Sequence, residues 1–199
     1  ILHLNSSIFG EGGQSSRLAE QFVAQFPAAR VVRRDLAKNP LPHLDAERFG
    51  AFLSKPEGRT SAQQRVLEES DALIAELKGA DTIVIGLPMY NFGIPSQLKA
   101  YFDHVARAGV TFKYTDKGAV GLLTGKKAYV FAARGGLYQG TPRDTQTAYV
   151  RDFLAFLGIT DVQFVYAEGL AISEASKVES LASAQRILRN LAQPERIAA

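Results

Sequence analysis

Hydroxyls, one side-chain amide and several glycines crowd into "NSSIFGEGGQSSRL" (5 to 18): Ser6, Ser7, Ser15 and Ser16 with Gln14, and Gly10, Gly12 and Gly13 among them. Glycines let a backbone come close to an anion. The first amides of a helix, with the helix dipole behind them, favour negative charge by about 0.3 to 1 kcal/mol per interaction. Such a set suits a phosphate, the plainer alternative being a turn capped by Ser15 or Ser16. The spacing is not the G-x-G-x-x-G of a dinucleotide site. A G-x-x-x-x-G-K-[ST] loop is missing too: "GLLTGKK" (121 to 127) has too few spacers and no hydroxyl residue after the lysine. Hydroxyl donors without a nucleotide lysine favour a monophosphate, the group that FMN carries.

Two further stretches bring groups that suit a flat ring. "PMYNFGIPSQLKAYFDHVARAG" (88 to 109) starts as a loop with Met89, Tyr90 and Phe92 where a turn belongs, and then becomes an amphipathic helix. "ARGGLYQGTP" (133 to 142) places Gly135 and Gly136 where backbone amides can approach the oxygens and nitrogens of a heterocycle, with Tyr138 as a lid. Each has a bland counterpart, a packed loop and a simple Gly-Gly turn. One anion loop and two loops bracketing a planar ring together make the set that a flavin needs.

The elements between these loops say where they must meet. Five apolar runs rich in β-branched and aromatic residues read as strands: 1 to 5, 29 to 36, 81 to 88, 127 to 133 and 161 to 167. Helical spacing fills the gaps at Ser15 to Phe26, Thr60 to Lys78, Pro95 to Val105, Thr141 to Leu157 and Ser176 to Leu191. Thr60 and Gln63 fit a capping box, and Gly79 a stop. Alternation of this kind predicts a doubly wound parallel sheet with helices on both faces. Its ligand crevice lies beyond the carboxyl ends of the strands, where strand order reverses, so the loops after the first, third and fourth strands should converge. Two long stretches, 37 to 59 and 109 to 127, are read as irregular connections that a function or a partner must cover.

At 199 residues the chain fits one domain, 1 to 199. Its 46% hydrophobic and 22% charged residues are globular, and no run approaches the roughly 18 apolar residues of a membrane helix. The absence of cysteine excludes disulfides, thiolate catalysis and cysteine-ligated metal centres. The net charge of +3 is dispersed, whereas nucleic-acid binding needs a basic face. His3, His43 and His104 make no metal-spaced cluster, Asp103 suits a helix surface or an interface better than a base, and no metal site is expected. "ILHLNSS" carries no secretory signal and opens inside a strand-like run, so a few residues are expected ahead of Ile1 and the cytoplasm is the default compartment.

The segment from Pro88 to Tyr114, "PMYNFGIPSQLKAYFDHVARAGVTFKY", resembles the signature of the FMN-dependent NADH azoreductases, a family of NAD(P)H:quinone oxidoreductases within the flavodoxin-like fold. The serine loop, "LTGKKA", "ARGGLY" and "FLGITDVQFVYAEG" match in the same order, so the resemblance covers nearly the whole chain. It implies strand order 2-1-3-4-5 and bound FMN, with Ser7, Gly13, Gln14 and Ser15 at the phosphate. Met89, Tyr90, Asn91 and Phe92 would lie along the isoalloxazine ring, and Ala133, Arg134, Gly135 and Gly136 at its pyrimidine end. Relatives often carry serine where this chain has Gly13 and Ala133, which leaves backbone contacts at those two positions.

The resemblance also implies a homodimer with each active site at the subunit boundary, where Phe112 and Tyr114 would wall the partner's site beside Phe92 and Tyr138. It further implies ping-pong chemistry: NADH or NADPH passes hydride to flavin N5, and a quinone or azo compound, a small planar aromatic acceptor, then takes two electrons in the same space. No catalytic side chain is needed. A one-electron flavodoxin is the alternative, but an acidic surface would be expected of it and this chain is basic.

Overall fold

A computed structural model describes residues 1–193; residues 194–199, the end of the expected domain, lie outside them. The chain runs β1 (Leu2–Asn5), α1 (Gln14–Val23), β2 (Val32–Asp35), α2 (Ala46–Leu53), α3 (Ser61–Gly79), β3 (Thr82–Pro88) and α4 (Ser96–Val105). It continues through β4 (Phe112–Thr115), β5 (Gly118–Gly121), β6 (Lys127–Ala133), α5 (Thr145–Leu157), β7 (Asp161–Ala167) and α6 (Glu174–Ala192). A turn of 3-10 helix at Gly10–Gly12 precedes α1.

Five parallel strands form one sheet in the order β2-β1-β3-β6-β7, which is the expected 2-1-3-4-5 once the short β4 and β5 are set aside. Alternate residues of a strand face opposite sides, and the sheet sorts its apolar residues accordingly. Ile83, Ile85 and Leu87 of β3 pack with Leu73, Leu77, Phe102 and Leu154 of α3, α4 and α5. Val84 packs on the other face with Leu18, Phe22 and Leu188 of α1 and α6. Burying apolar area at about 25 cal/mol per Å² makes these two layers the main stabilising term.

Local signals set most helix ends. Thr60 caps α3 through Gln63 N at 3.2 Å, and Gln63 Oε1 accepts Thr60 N at 2.9 Å, completing the expected box. Asp144 caps α5 by accepting Thr147 N, so α5 begins at Thr145 instead of Thr141. α1 differs: its cap residue is Gly13, with no side-chain hydrogen bond to the first turn.

The two stretches read as irregular are partly ordered. α2 lies in the first, capped by Asp45, and packs against α3. The second holds an antiparallel hairpin of β4 and β5. Among the described residues no helix is long and apolar enough to cross a membrane, and no group of His, Asp or Glu could hold a metal ion.

A candidate active site at the ends of three strands

The register places the three expected loops side by side. Asn5 of β1 pairs with Gly86 of β3, and Pro88 of β3 with Ala133 of β6, so the loops leave adjacent strand ends at the point where strand order reverses. Side chains and amides tie them together. Ser7 Oγ lies 3.3 Å from Tyr90 Oη, Met89 N donates to Ala133 O at 3.1 Å, and the Phe92 and Tyr138 rings meet edge to face at 5.9 Å.

The first loop is fixed against the sheet by its serines. Ser16 Oγ donates to Asn5 Oδ1 at 2.5 Å and Ser6 Oγ to Gly86 O at 2.6 Å, which pins the loop to the sheet. A Cβ on Gly86 would stand 3.3 Å from the Ser15 backbone, so glycine there lets α1 begin close against β3. A Cβ on Gly13 would meet Ser7 Oγ at 2.2 Å, so with Ser7 as it stands the loop closes here around glycine, and a larger residue would require Ser7 to shift. Three buried side-chain polar atoms among the described residues have no partner, and Ser15 Oγ is the one at this loop. A buried hydroxyl left unsatisfied costs about 1–3 kcal/mol. Ser15 Oγ sits in the uncapped first turn of α1, whose amides lack intrahelical partners. These donors fit the phosphate of FMN.

The second loop presents its backbone. Asn91 and Phe92 have φ of 49° and 65°, and Tyr90 and Gly93 exchange backbone hydrogen bonds at 3.2 and 2.9 Å. This is a two-residue turn with both central residues in the left-handed region, a conformation Asn tolerates but one that costs on the order of 1–3 kcal/mol for a bulky residue. Neither the Asn91 nor the Phe92 amide donates to another described residue, and Phe92 is 51% exposed. Gly135 and Gly136 likewise leave their amides free while their carbonyls accept from Ala171 and Gly169. Two pairs of amides without partners among the described residues, beside an aromatic edge, suit a planar heterocycle rich in acceptors.

Among the expected site residues, Arg134 and Phe112 have their large side chains buried. Arg134 does not offer its guanidinium to a ligand: only 1% exposed, it donates to Glu168 Oε1 at 2.9 Å, Asp144 Oδ1 at 2.8 Å and Gln146 Oε1 at 3.1 Å. It also lies over the Tyr166 ring, and its amide is taken by Ala167 O. Its side chain therefore braces the loop from below. Phe112 is 6% exposed and packs on Phe156 at 4.2 Å between centroids, so most of its ring lies in the core of its own subunit. Tyr114, 75% exposed on the hairpin, remains free to meet a partner.

Residues that the sequence did not single out hold the site. Gln146, fully buried at the start of α5, donates to Pro88 O and Gly93 O, both at 2.9 Å. Thr145 Oγ1 donates to Phe92 O. Glu168 accepts the amides of Tyr138 and Gln139 as well as Arg134. A carboxylate directly after the fifth expected strand, at its carboxyl end, was the readable signal for Glu168. Gln146 carried none, being one polar residue among several in "DTQTAY". Burial pulls the Asp144 carboxyl upward, but hydrogen bonds from Arg134 and Thr147 outweigh it and hold its pKa below the usual carboxylate value.

The histidines lie elsewhere. His3 is buried in β1 with Nδ1 3.3 Å from Glu20, His104 is fully buried against Phe52, and His43 is exposed. His3 also borders a groove of about 610 Å³ between α1 and the edge strand β2. Charges there answer one another: Glu20 pairs with Arg33 at 2.8 Å, and Asp35 accepts the Ala37 and Lys38 amides.

Known proteins match this architecture along its length. The family model for the flavodoxin-like fold covers residues 1–191. An FMN-dependent NADH:quinone oxidoreductase of Cellvibrio japonicus is 56% identical over 189 residues, 93% of this chain and 94% of that protein. An FMN-dependent NADH:quinone oxidoreductase 6 of Burkholderia lata is 52% identical over 192 residues, 94% of this chain and 97% of that protein. Among solved structures, an FMN-dependent NADH-azoreductase from Bacillus anthracis in complex with FMN superposes with a TM-score of 0.87 at 30% identity, covering 100% of this chain and 98% of that one. By fold and by full-length identity, the chain belongs to the flavodoxin-like fold family that includes the FMN-dependent NADH:quinone oxidoreductases.

Proposed function

We propose that this protein is an FMN-dependent NADH oxidoreductase that reduces quinones by two electrons and cleaves aromatic azo compounds reductively. The observation that carries the reading is the unpartnered, buried Ser15 hydroxyl in an uncapped helix turn, beside two turns whose amides have no partner among the described residues. The names and full-length similarity of the relatives support the same chemistry.

Ser15, Ser7 and Gln14, with the amides of the first turn of α1, would hold the phosphate, and Gly13 keeps that cradle open to it. Met89 and Tyr90 would border the ring, the amides of Asn91 and Phe92 would face one edge, and Ala133, Gly135 and Gly136 the other. Bound FMN would supply the redox chemistry, a hydride from NADH in each cycle for an acceptor that uses the same space, with further protons from solvent: one cycle would reduce a quinone to the hydroquinone, and two would supply the four electrons that cleave an azo bond. Phe92 and Tyr138 give that space an apolar wall, which favours flat, electron-poor rings and excludes water. The protein's own part is therefore binding, orientation and desolvation.

We further propose a homodimer in which the exposed Tyr114 closes the partner's site. The hairpin that carries Tyr114 also exposes Val120, and Leu122 just after it is exposed too, an apolar surface that supports burial in an interface. The cytoplasm, which holds the reduced nicotinamide donor, is the compartment this reading implies.

Initial rates with FMN-loaded protein test the proposal. Oxidation of NADH that depends on added quinone, with parallel double-reciprocal lines, is expected. Quinone-independent rates, or no NADH oxidation at all, would reject it.

A further inference from the structure

The turn after β3 keeps an unfavourable shape, with Phe92 at a φ of 65° and Asn91 at 49°. Such a turn lasts only where its surroundings hold it. Here the holding comes from one end of α5. Gln146 Nε2 donates to Pro88 O and to Gly93 O, both at 2.9 Å, and Thr145 Oγ1 donates to Phe92 O. Gln146 Oε1 accepts Arg134 Nε at 3.1 Å, which fixes the amide's orientation and joins the second loop to the third. Carbonyls on both sides of the turn are thus gripped from beneath. The amides of Asn91 and Phe92 have no partner among the described residues.

We propose that Gln146, assisted by Thr145, is a positioning residue for the flavin: it aims the Asn91 and Phe92 amides as a fixed donor pair at the ring and thereby raises the ring's electron affinity. This rests on the FMN reading above and extends it to a residue outside the cleft. Donors fixed in advance stabilise the electron density that a ring gains on reduction and need no reorganisation when it arrives. Donors on a loosened turn must be ordered at that moment. Loss of the grip therefore lowers the reduction potential of bound flavin as well as its affinity.

The test substitutes Gln146→Glu, which keeps the length and the acceptor for Arg134 but cannot donate to two carbonyls. FMN affinity is read by fluorescence titration, and the bound flavin by its visible spectrum and midpoint potential. The expected result is an affinity about tenfold weaker, the equivalent of one hydrogen bond to a charged or strongly polar group, with an altered spectrum and a more negative potential. Ser15→Ala, the control, should weaken binding while leaving the spectrum and potential of the flavin that does bind unchanged. A Gln146→Glu spectrum and potential equal to wild type would overturn the proposal.

Should Gln146→Glu fail to fold, Thr145→Val at an exposed site removes one grip only; the same direction of shift is expected, and an unchanged potential overturns the proposal. Wild-type protein that takes up no FMN would overturn the underlying reading and this one together. Wild type that binds FMN normally, with variants at its potential, overturns this one alone.

Discussion

Arg134 Nη1 donates to Glu168 Oε1 at 2.9 Å, and the same carboxylate oxygen accepts the Tyr138 amide at 3.1 Å. One ion pair beneath the sheet edge thus sets the course of the loop that carries Gly135, Gly136 and Tyr138. Arg134→Met would leave Asp144 and Glu168 facing each other without their cation. Removing one partner of a buried pair typically costs about 3–5 kcal/mol, so urea unfolding of Arg134→Met should show a loss of that order. A loss below about 1 kcal/mol would mean that the network contributes little to the fold.

Ser15→Ala separates ligand binding from stability. Its hydroxyl is buried without a partner, so removing it should leave the ligand-free protein as stable as wild type or more stable by up to about 1 kcal/mol. FMN affinity should fall about tenfold to a hundredfold, since a hydrogen bond to a charged group is worth roughly 1.5–3 kcal/mol. Thermal unfolding without FMN and fluorescence titration with it measure the two quantities. Lower stability with unchanged FMN affinity would refute the phosphate role.

Acid should weaken the fold in two stages. Burial lowers the pKa of His3 from 6.5, against the pull of Glu20, with Arg33 adding to the lowering. The unfolded chain therefore takes up this proton first, and stability should fall as pH drops below 6.5. Asp144 works on the other limb. With its pKa below 3.8, its contribution is complete above the usual carboxylate range and is lost as pH falls through its depressed value. Urea midpoints across pH should show both slopes; His3→Gln should remove the upper one and Asp144→Asn the lower.

Tyr114 is the exposed aromatic of the β4–β5 hairpin, and its substitution should be felt by the acceptor and not by FMN. Tyr114→Ala is expected to raise the KM for quinone about fivefold, the loss of roughly 1 kcal/mol of aromatic contact. FMN content should match wild type. Sedimentation of both proteins gives the oligomeric state. A monomeric wild type would remove Tyr114 from the site.

Much of the frame was legible because each crossover must bury an apolar stripe: Leu73 and Leu77 of α3 face one side of the sheet, Leu18 and Phe22 of α1 the other. The three site loops followed from strand order, since adjacent parallel strands deliver their ends to one edge. α2 was hidden by prolines on either side and by Phe49 and Leu53, which stay exposed. The hairpin was hidden by its shortness and by a charged Asp116-Lys117 turn. The bracing role of Arg134 was not legible because an arginine beside two glycines ordinarily snorkels to water. Its burial depends on acceptors at 144, 146 and 168, which meet only once α5 and the end of β7 are in place.

The two half-reactions, run anaerobically with FMN-loaded protein, test the central claim most directly. One equivalent of NADH should bleach the visible flavin band, and one equivalent of quinone should then restore it. A band that NADH leaves intact would contradict the account, as would reduced flavin that quinone cannot reoxidise.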